Sequence, residues 1–155
     1  EASIRHVLGE TYVYLGDANL AIRQHERALQ IRRAELGPEH HDTLSSMNYV
    51  ATAYQYAGRL SDALPLLEET LRVSKAKRGP EHPDTIVIMN NLAEAYRNTG
   101  RLSDAVPLHE ETLKLFKAKL GPEHPKTLAS MNNLALAYQA AGRLSDALPL
   151  QEQTI

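Results

Sequence analysis

The 155-residue sequence contains no cysteine and no tryptophan, and it has a single phenylalanine, Phe116. Without cysteine there can be no disulfide framework, no thiolate metal site and no cysteine nucleophile, which suits an intracellular, cytoplasmic chain. No apolar run approaches the roughly 20 residues needed to cross a bilayer, and the first residues lack the charged-then-apolar pattern of a signal peptide. We therefore expect neither membrane insertion nor secretion.

An excess of positive charge is also missing. Lysine and arginine number 17 against 19 acidic residues, which gives a net charge of −2. Nucleic-acid binding depends on clustered, uncompensated positive charge, so we do not expect a nucleic-acid partner. Runs of β-branched residues are nearly absent, whereas the helix formers Ala, Leu, Glu and Arg are abundant. This composition predicts an all-α fold.

The most informative feature of the sequence is an internal repeat. The segment GPEH recurs at Gly37, Gly79 and Gly121, and GRLSDA recurs at Gly58, Gly100 and Gly142, so both advance by 42 residues. This period predicts one repeat array over residues 1–155, with repeats at about 1–36, 37–78, 79–120 and 121–155. The first and last repeats are incomplete. The close likeness of the repeats to one another indicates either recent duplication or a designed consensus.

Each repeat is predicted to contain two helices. In the third repeat, Met89, Leu92, Ala93 and Tyr96 fall at helical spacing and predict a first helix over about residues 83–99. A second apolar stripe predicts another helix that extends to about residue 119. Helices of this length cannot bury their apolar stripes alone, so neighbouring repeats must stack.

Residues with known preferences for helix ends mark the predicted boundaries. A glycine tolerates the left-handed conformation just past a helix, so the recurring glycine predicts the end of each first helix. Serine is a favoured N-cap, and proline suits a first turn. We therefore predict C-terminal caps at Gly58, Gly100 and Gly142, N-caps at His82, His124, Ser61, Ser103 and Ser145, and first-turn prolines at Pro65, Pro107 and Pro149.

Small and aromatic residues predict how the helices pack. One alanine on each first helix is expected to face one alanine on its partner, with a tyrosine filling the space between helices. The alanine pairs are Ala51 with Ala63, Ala93 with Ala105, and Ala135 with Ala147, and the tyrosines are Tyr12, Tyr54, Tyr96 and Tyr138.

These motifs resemble a known family. The segment N-L-A-x-A-Y at 91–96 and 133–138, together with G-R-L-S-D-A and LGPEHPxT, is similar to the 42-residue form of the tetratricopeptide repeat, as found in kinesin light chains. The resemblance implies a right-handed α-solenoid of stacked antiparallel helix pairs. It further implies a concave groove, lined by first helices, that receives an extended peptide or a helix of a partner protein.

The resemblance places a set of candidate peptide-binding residues on the first helices. They are Tyr14, Asn48, Tyr49, Tyr56, Asn90, Asn91, Glu94, Arg97, Asn98, Asn132, Asn133 and Gln139. An asparagine side chain offers a donor and an acceptor together, which matches a peptide amide, and tyrosine adds aromatic contact. The alternative interpretation is an ordinary solvated face. Since Arg97 is essentially the only cation in the set, a clamp for a terminal carboxylate is not expected.

Metal binding and catalysis have weak support. His40, His82 and His124 recur once per repeat, and stacked repeats separate equivalent atoms by roughly 10 Å, too far for shared coordination. Capping is the favoured role for these histidines. No phosphate loop, no H-E-x-x-H motif and no nucleophile with a partnered base is present. We therefore predict a non-enzymatic chain without cofactor or metal.

The sequence thus favours a scaffold that binds a protein or an extended peptide in its groove. The alternatives are a structural spacer, a sensor arm of a larger signalling protein, and a consensus-like repeat protein without a ligand. Incomplete end repeats also predict head-to-tail self-association through Ile4 and Leu8 at one end and Leu148 and Ile155 at the other.

Overall fold

A computed structural model describes residues 1–153, which contain eight α-helices and no strand. The helices are α1 (Ala2–Tyr14), α2 (Ala18–Leu36), α3 (His41–Tyr56), α4 (Leu60–Arg78), α5 (Pro83–Asn98), α6 (Leu102–Leu120), α7 (Pro125–Ala140) and α8 (Leu144–Glu152). The prediction of an all-α fold built from helix pairs is confirmed. The two helices expected in the third repeat are found within a residue or two of their predicted ends.

The chain folds as two compact units, an N-terminal unit of Glu1–Pro80 and a C-terminal unit of Glu81–Ile155. In the N-terminal unit α1 packs on α2, α2 on α3 and α3 on α4, and α1 also contacts α3. The C-terminal unit repeats this order, and α5 contacts α7. Within each unit, therefore, the first helices of consecutive repeats touch each other directly.

The backbones of the second helices of consecutive repeats stand apart, since among the described residues no Cα atom of α2 lies within 8 Å of α4, nor any of α6 within 8 Å of α8. The space between α2 and α4 is a cleft of about 650 Å³, and its lining includes Glu26, Arg33 and Met47. An equivalent cleft of about 590 Å³ in the C-terminal unit is lined by residues that include Glu110 and Lys117. One face of each unit is thus closely packed and the other is open.

The glycine at the end of each first helix has the predicted capping role. Gly58 has φ +71°, its N–H donates to the carbonyl of Gln55 at 3.0 Å, and the N–H of Arg59 donates to Tyr54 at 2.8 Å. This pair of bonds is a Schellman motif, which satisfies two carbonyls at the helix end. Gly100 and Gly142 adopt the same conformation. The sharp reversal between paired helices follows directly from these residues.

A histidine begins three of the four first helices, as predicted. His40, His82 and His124 are extended, and the Nδ1 of each accepts a hydrogen bond from the backbone N–H two residues later at 3.1–3.2 Å. The hydroxyl of Thr43 then donates to the carbonyl of Gly37, and Thr127 repeats this bond with Gly121. Each inter-repeat turn is therefore closed by its own side chains.

The prediction that serine caps the second helices is wrong. These helices begin at Leu60, Leu102 and Leu144, so Ser61, Ser103 and Ser145 already lie within the first turn. The N-cap is arginine: the Nε of Arg59 donates to Asp62 at 2.7 Å, and its guanidinium lies 4.4 Å from the centre of the Tyr54 ring. Because Arg59 already completes the Schellman motif, the next residue is helical and no serine cap is needed.

The recurring prolines lie later in their helices than predicted, because these helices begin before the serines. Pro65, Pro107 and Pro149 are the sixth residues of their helices, in the second turn and not the first. Proline lacks an N–H, so the carbonyl four residues earlier loses its helical partner. In the N-terminal unit that carbonyl belongs to Ser61, which is exposed, so water can bond to it.

The alanines that the sequence predicts between paired helices lie in the core. The alanines Ala51, Ala63, Ala93, Ala105, Ala135 and Ala147 are all buried. The expected tyrosines are only half-buried. The hydroxyls of two of them reach a glutamate at the surface. Tyr54 donates to Glu26 at 2.6 Å, and Tyr138 donates to Glu110 at 2.7 Å. Each of these bonds links a first helix to the second helix of the preceding repeat.

Two histidines lie in the core at the position that Leu67 occupies in the second repeat. Both His25 and His109 are buried, and burial lowers the pKa of each from 6.5 to about 4. For His109, Glu94 opposes this shift and Arg97 adds to it. Neither ring nitrogen of His109 has a hydrogen-bond partner among the described residues. The fold therefore requires both imidazoles to be neutral.

We expect the aspartate cap of α2 to stabilise the fold and the recurring serine not to. The carboxylate of Asp17 accepts a hydrogen bond from the backbone N–H of Leu20 at 2.9 Å. Asp17→Ala should therefore lower the free energy of unfolding by about 1 kcal/mol. Ser61→Ala should change it by less than about 0.5 kcal/mol. Urea titrations followed by circular dichroism measure both, and equal losses would contradict this account of the caps.

We further expect acid to destabilise the fold through its buried histidines. Their pKa is about 4 in the folded chain and near 6.5 when unfolded, so the unfolded chain binds more protons below pH 6.5. Stability should be constant above pH 6.5 and should fall as the pH drops toward 4, by roughly 2 kcal/mol per histidine at pH 4.5. His109→Leu, which copies Leu67, should remove part of this loss.

Urea unfolding at pH 7.5 and pH 4.5 measures the loss in each protein. His41→Gln is the control, because it replaces a histidine that is exposed. The same loss in His109→Leu as in the parent would refute the assignment.

Candidate functional site

The candidate residues lie on the first helices, which touch from one repeat to the next within each unit. In each unit, we call the surface formed by these residues the first-helix face. In the C-terminal unit it consists of Asn90, Asn91, Glu94, Arg97 and Asn98 on α5, and Asn132, Asn133 and Gln139 on α7. In the N-terminal unit it consists of Tyr14 on α1 and Asn48, Tyr49 and Tyr56 on α3.

Two asparagines join neighbouring repeats on the first-helix face of the C-terminal unit. The Nδ2 of Asn133 on α7 donates to the Oδ1 of Asn90 on α5, with 3.3 Å between the two atoms. Because this bond occupies the carbonyl oxygen of Asn90, the amide nitrogen of Asn90 remains to donate. Both side chains are half-buried, as is Asn91. The bond fixes an amide group across two repeats before any ligand is bound.

The two charged candidates pair with each other. Arg97 donates to both carboxylate oxygens of Glu94, one turn earlier on α5, through its Nε at 3.3 Å and through Nη2. Both side chains are about a quarter exposed, so solvent screens the pair only in part. The pair is neutral overall. It therefore presents polar groups to a ligand and no net charge.

The remaining polar candidates of the C-terminal unit are freely accessible. Asn98, Asn132 and Gln139 are all exposed. Their amides can donate and accept at the same time, as a peptide backbone requires. These exposed amides lie on the same two helices as the Asn90–Asn133 pair.

The candidates of the N-terminal unit separate into accessible and buried residues. Tyr14 and Tyr56 end α1 and α3, and they are 91% and 68% exposed. Asn48 is only 8% exposed and offers little surface to a ligand. Tyr49 is half-buried. The aromatic contact that the sequence predicts is thus available at two of the three tyrosines.

Tyr49 belongs to a ring cluster that sequence reasoning missed. Its ring lies 4.2 Å from the ring of His6 and stacks at 5.6 Å on His25. The signal in the sequence is Gly9, which replaces the alanine of the other repeats, because a Cβ at this position would lie 2.5 Å from the His25 ring. Burial lowers the pKa of His6, and Arg32 adds to this effect, while Glu10 opposes it.

A small cavity also lies on this face in the C-terminal unit, and sequence reasoning missed it. It has a volume of about 150 Å³ and is lined by Val87, Asn90, Phe116, Lys126, Ala129 and Ser130. The hydroxyl oxygen of Ser130 is buried and has no hydrogen-bond partner among the described residues. The one signal in the sequence is the single phenylalanine of the chain, which lines this cavity.

Only one group of side chains in residues 1–153 could gather around a metal ion. His40, His41 and Asp42 bring one ligand atom each within 4.8 Å of one another. The Nδ1 of His40 is already occupied by the backbone N–H of Asp42, in the helix cap described above. The expectation that the chain uses no metal stays a prediction.

Two further expectations concern surfaces away from this face. No helix in the part of the chain that the structure describes is both long and apolar enough to span a membrane. Ile4, Leu8 and Leu148 are exposed, while Ile155 lies outside the described residues. Head-to-tail self-association stays a prediction.

Comparison with solved structures identifies proteins of the same architecture. A Podosopora anserina protein, described as a kinesin light chain with nearly identical TPR-like repeats, is 34% identical with a TM-score of 0.90. The alignment covers 98% of this chain and 72% of that one. BtubC (BKLC) from P. vanneervenii is 21% identical with a TM-score of 0.84, over 99% of this chain and 61% of that one. This second likeness concerns the fold alone.

A third structure and the sequence profiles complete the comparison. The apo form of RapI is 16% identical with a TM-score of 0.82, over 99% of this chain and 54% of that one. No curated protein matches the chain. The profile of the tetratricopeptide repeat matches residues 1–76, 62–118 and 84–155, which together span the sequence. The chain therefore belongs to the tetratricopeptide repeat family.

Proposed function

We propose that the chain is a non-enzymatic scaffold that binds an extended peptide of a partner protein along its first-helix face. The family to which it belongs is typical of protein-interaction scaffolds and is generally non-enzymatic. The observation that carries the proposal is the Asn90–Asn133 bond, which holds an amide group in place between two repeats. Exposed amides at Asn98, Asn132 and Gln139 lie on the same two helices.

The chemistry of this face suits a peptide backbone. An extended peptide presents an N–H and a carbonyl at each residue, and an amide side chain can satisfy either group. Because Asn90 is fixed by Asn133, little side-chain entropy is lost when a ligand binds there. These contacts do not depend on ligand side chains. The amides therefore supply affinity for a main chain, and other groups must supply specificity.

Tyrosine side chains are the groups best suited to add specificity in the N-terminal unit. Tyr14 and Tyr56 expose most of their rings and have few rotatable bonds to immobilise. The Glu94–Arg97 pair plays a smaller part, since each charge already has its partner. A ligand that depends on a clamp for its terminal carboxylate is disfavoured on this face, because Arg97 is committed to Glu94.

We expect a peptide-display screen to enrich ligands for the parent chain but not for a variant of the first-helix face. The variant carries Asn91→Ala, Asn133→Ala and Tyr56→Ala, which remove the partner of Asn90, a second half-buried amide and one exposed ring. Binding of an enriched peptide should weaken at least tenfold, which corresponds to about 1.4 kcal/mol. Fluorescence anisotropy with the labelled peptide measures the loss.

A second triple variant controls for nonspecific effects of the substitutions. Glu35→Ala, Lys114→Ala and Glu123→Ala change exposed residues outside the first-helix face and should leave binding unchanged. Circular dichroism confirms folding of all three proteins. If the parent enriches no peptide, the proposal is wrong, and a structural spacer, a sensor arm or a ligand-free repeat protein becomes the better account. Light scattering over a concentration series then tests self-association.

A further inference from the structure

We propose that the small cavity of the C-terminal unit binds the side chain of a glutamate in the docked peptide. This inference rests on the proposed function and names the feature that the face would select in its ligand. The cavity lies between α5 and α7 beside Asn90, so a peptide held by the Asn90–Asn133 pair passes its mouth. We call it the α5–α7 pocket.

The size of the α5–α7 pocket suits one side chain. Its volume is about 150 Å³. An apolar cavity of about this volume in another protein accommodates benzene, which has six heavy atoms. The side chain of glutamate has five. Its two methylene groups would lie against Val87, Phe116 and Ala129, which form the apolar part of the wall.

The polar part of the wall is rich in hydrogen-bond donors. Asn90 accepts from Asn133 through its carbonyl oxygen, and its two N–H groups can donate to a ligand. Lys126 can only donate, and the buried Ser130 hydroxyl has a proton to give and no partner. A group that accepts several hydrogen bonds and carries negative charge fits this set. A carboxylate meets both conditions, and charge-assisted hydrogen bonds are the stronger kind.

The local electrostatics favour the same ligand. Lys126 is the second residue of α7, and Ser130 follows one turn later, so the α5–α7 pocket lies beside the positive end of the helix dipole. No acidic side chain lines the pocket. A carboxylate entering it would therefore meet one full positive charge and one partial positive charge.

The N-terminal unit has different residues at the equivalent position, and one of them fills it. There Arg32 replaces Phe116, Asp42 replaces Lys126 and Ser46 replaces Ser130, each 84 residues earlier in the sequence. The guanidinium of Arg32 donates to the hydroxyl of Ser46 at 2.7 Å and reaches the carbonyl of Asp42 at 3.4 Å. The N-terminal unit thus fills this position with its own side chain. In the C-terminal unit the Ser130 hydroxyl has no such partner among the described residues, so it is available to a ligand.

A position-scanning peptide library tests the assignment. Each pool of labelled twelve-residue peptides fixes Glu, Gln or Leu at one position and mixes Ala, Ser, Thr, Val and Asn elsewhere. At one position we expect the parent chain to bind the Glu pool about tenfold more tightly than the Gln pool. Lys126→Met should abolish this difference while leaving the Gln pool unchanged. Ser130→Ala should weaken the Glu pool more than the Gln pool, because a hydrogen bond from the hydroxyl to a carboxylate is stronger than one to a neutral amide.

Two further variants separate the pocket from general charge effects. Lys114→Met removes an exposed lysine that lines the cleft on the opposite face, and it should keep the preference for Glu. Lys126→Asp copies Asp42 and should make the Glu pool the weaker one. Circular dichroism checks that each variant is folded.

The possible outcomes distinguish this inference from the function on which it rests. Pools that bind with no preference for Glu over Gln, or a preference that survives Lys126→Met, would overturn the glutamate assignment and leave the scaffold function standing. A preference for the Leu pool would make the site an apolar one and would also overturn it. If no pool binds the parent chain, both proposals fail together.

Discussion

The close approach of paired helices at buried alanines is the constraint on which the rest of the structure depends. Ala51 and Ala63, like their counterparts in the later repeats, are buried, so a larger side chain at either position has no free space to occupy. A short turn closed by Gly58 and Arg59 joins the two helices. Within each unit, first helices of consecutive repeats also touch, which brings the candidate site residues of two repeats into one surface.

The sequence predicts best those structural features that depend on only a few consecutive residues. The glycine and histidine caps depend on backbone conformation and one hydrogen bond, so their positions follow from local pattern. The prediction of a serine N-cap is wrong because Arg59 takes that position. Its guanidinium contacts both Asp62 and the ring of Tyr54, and Tyr54 belongs to the preceding helix. The prediction used only the residues that follow the turn, so it could not include a contact with the helix that precedes it.

Most of the candidate face follows from the family resemblance, yet its detailed chemistry does not. Asn90 and Asn133 were predicted as separate contacts, and their mutual bond depends on how α5 and α7 meet. Asn48 was expected on the surface and is buried. The α5–α7 pocket needs Phe116 and Ser130 to converge from different helices, and no spacing in the sequence indicates this.

The bonds from Tyr54 to Glu26 and from Tyr138 to Glu110 give the molecule an optical property. Burial, with the hydrogen bond to the neighbouring glutamate, raises the pKa of each hydroxyl from 10.0 to about 12. An unfolded tyrosine would ionise near pH 10, so tyrosinate absorbance between these two values reports separation of a first helix from the preceding repeat. The protein thus carries an intrinsic spectroscopic probe of its repeat interfaces, in both units, without any label.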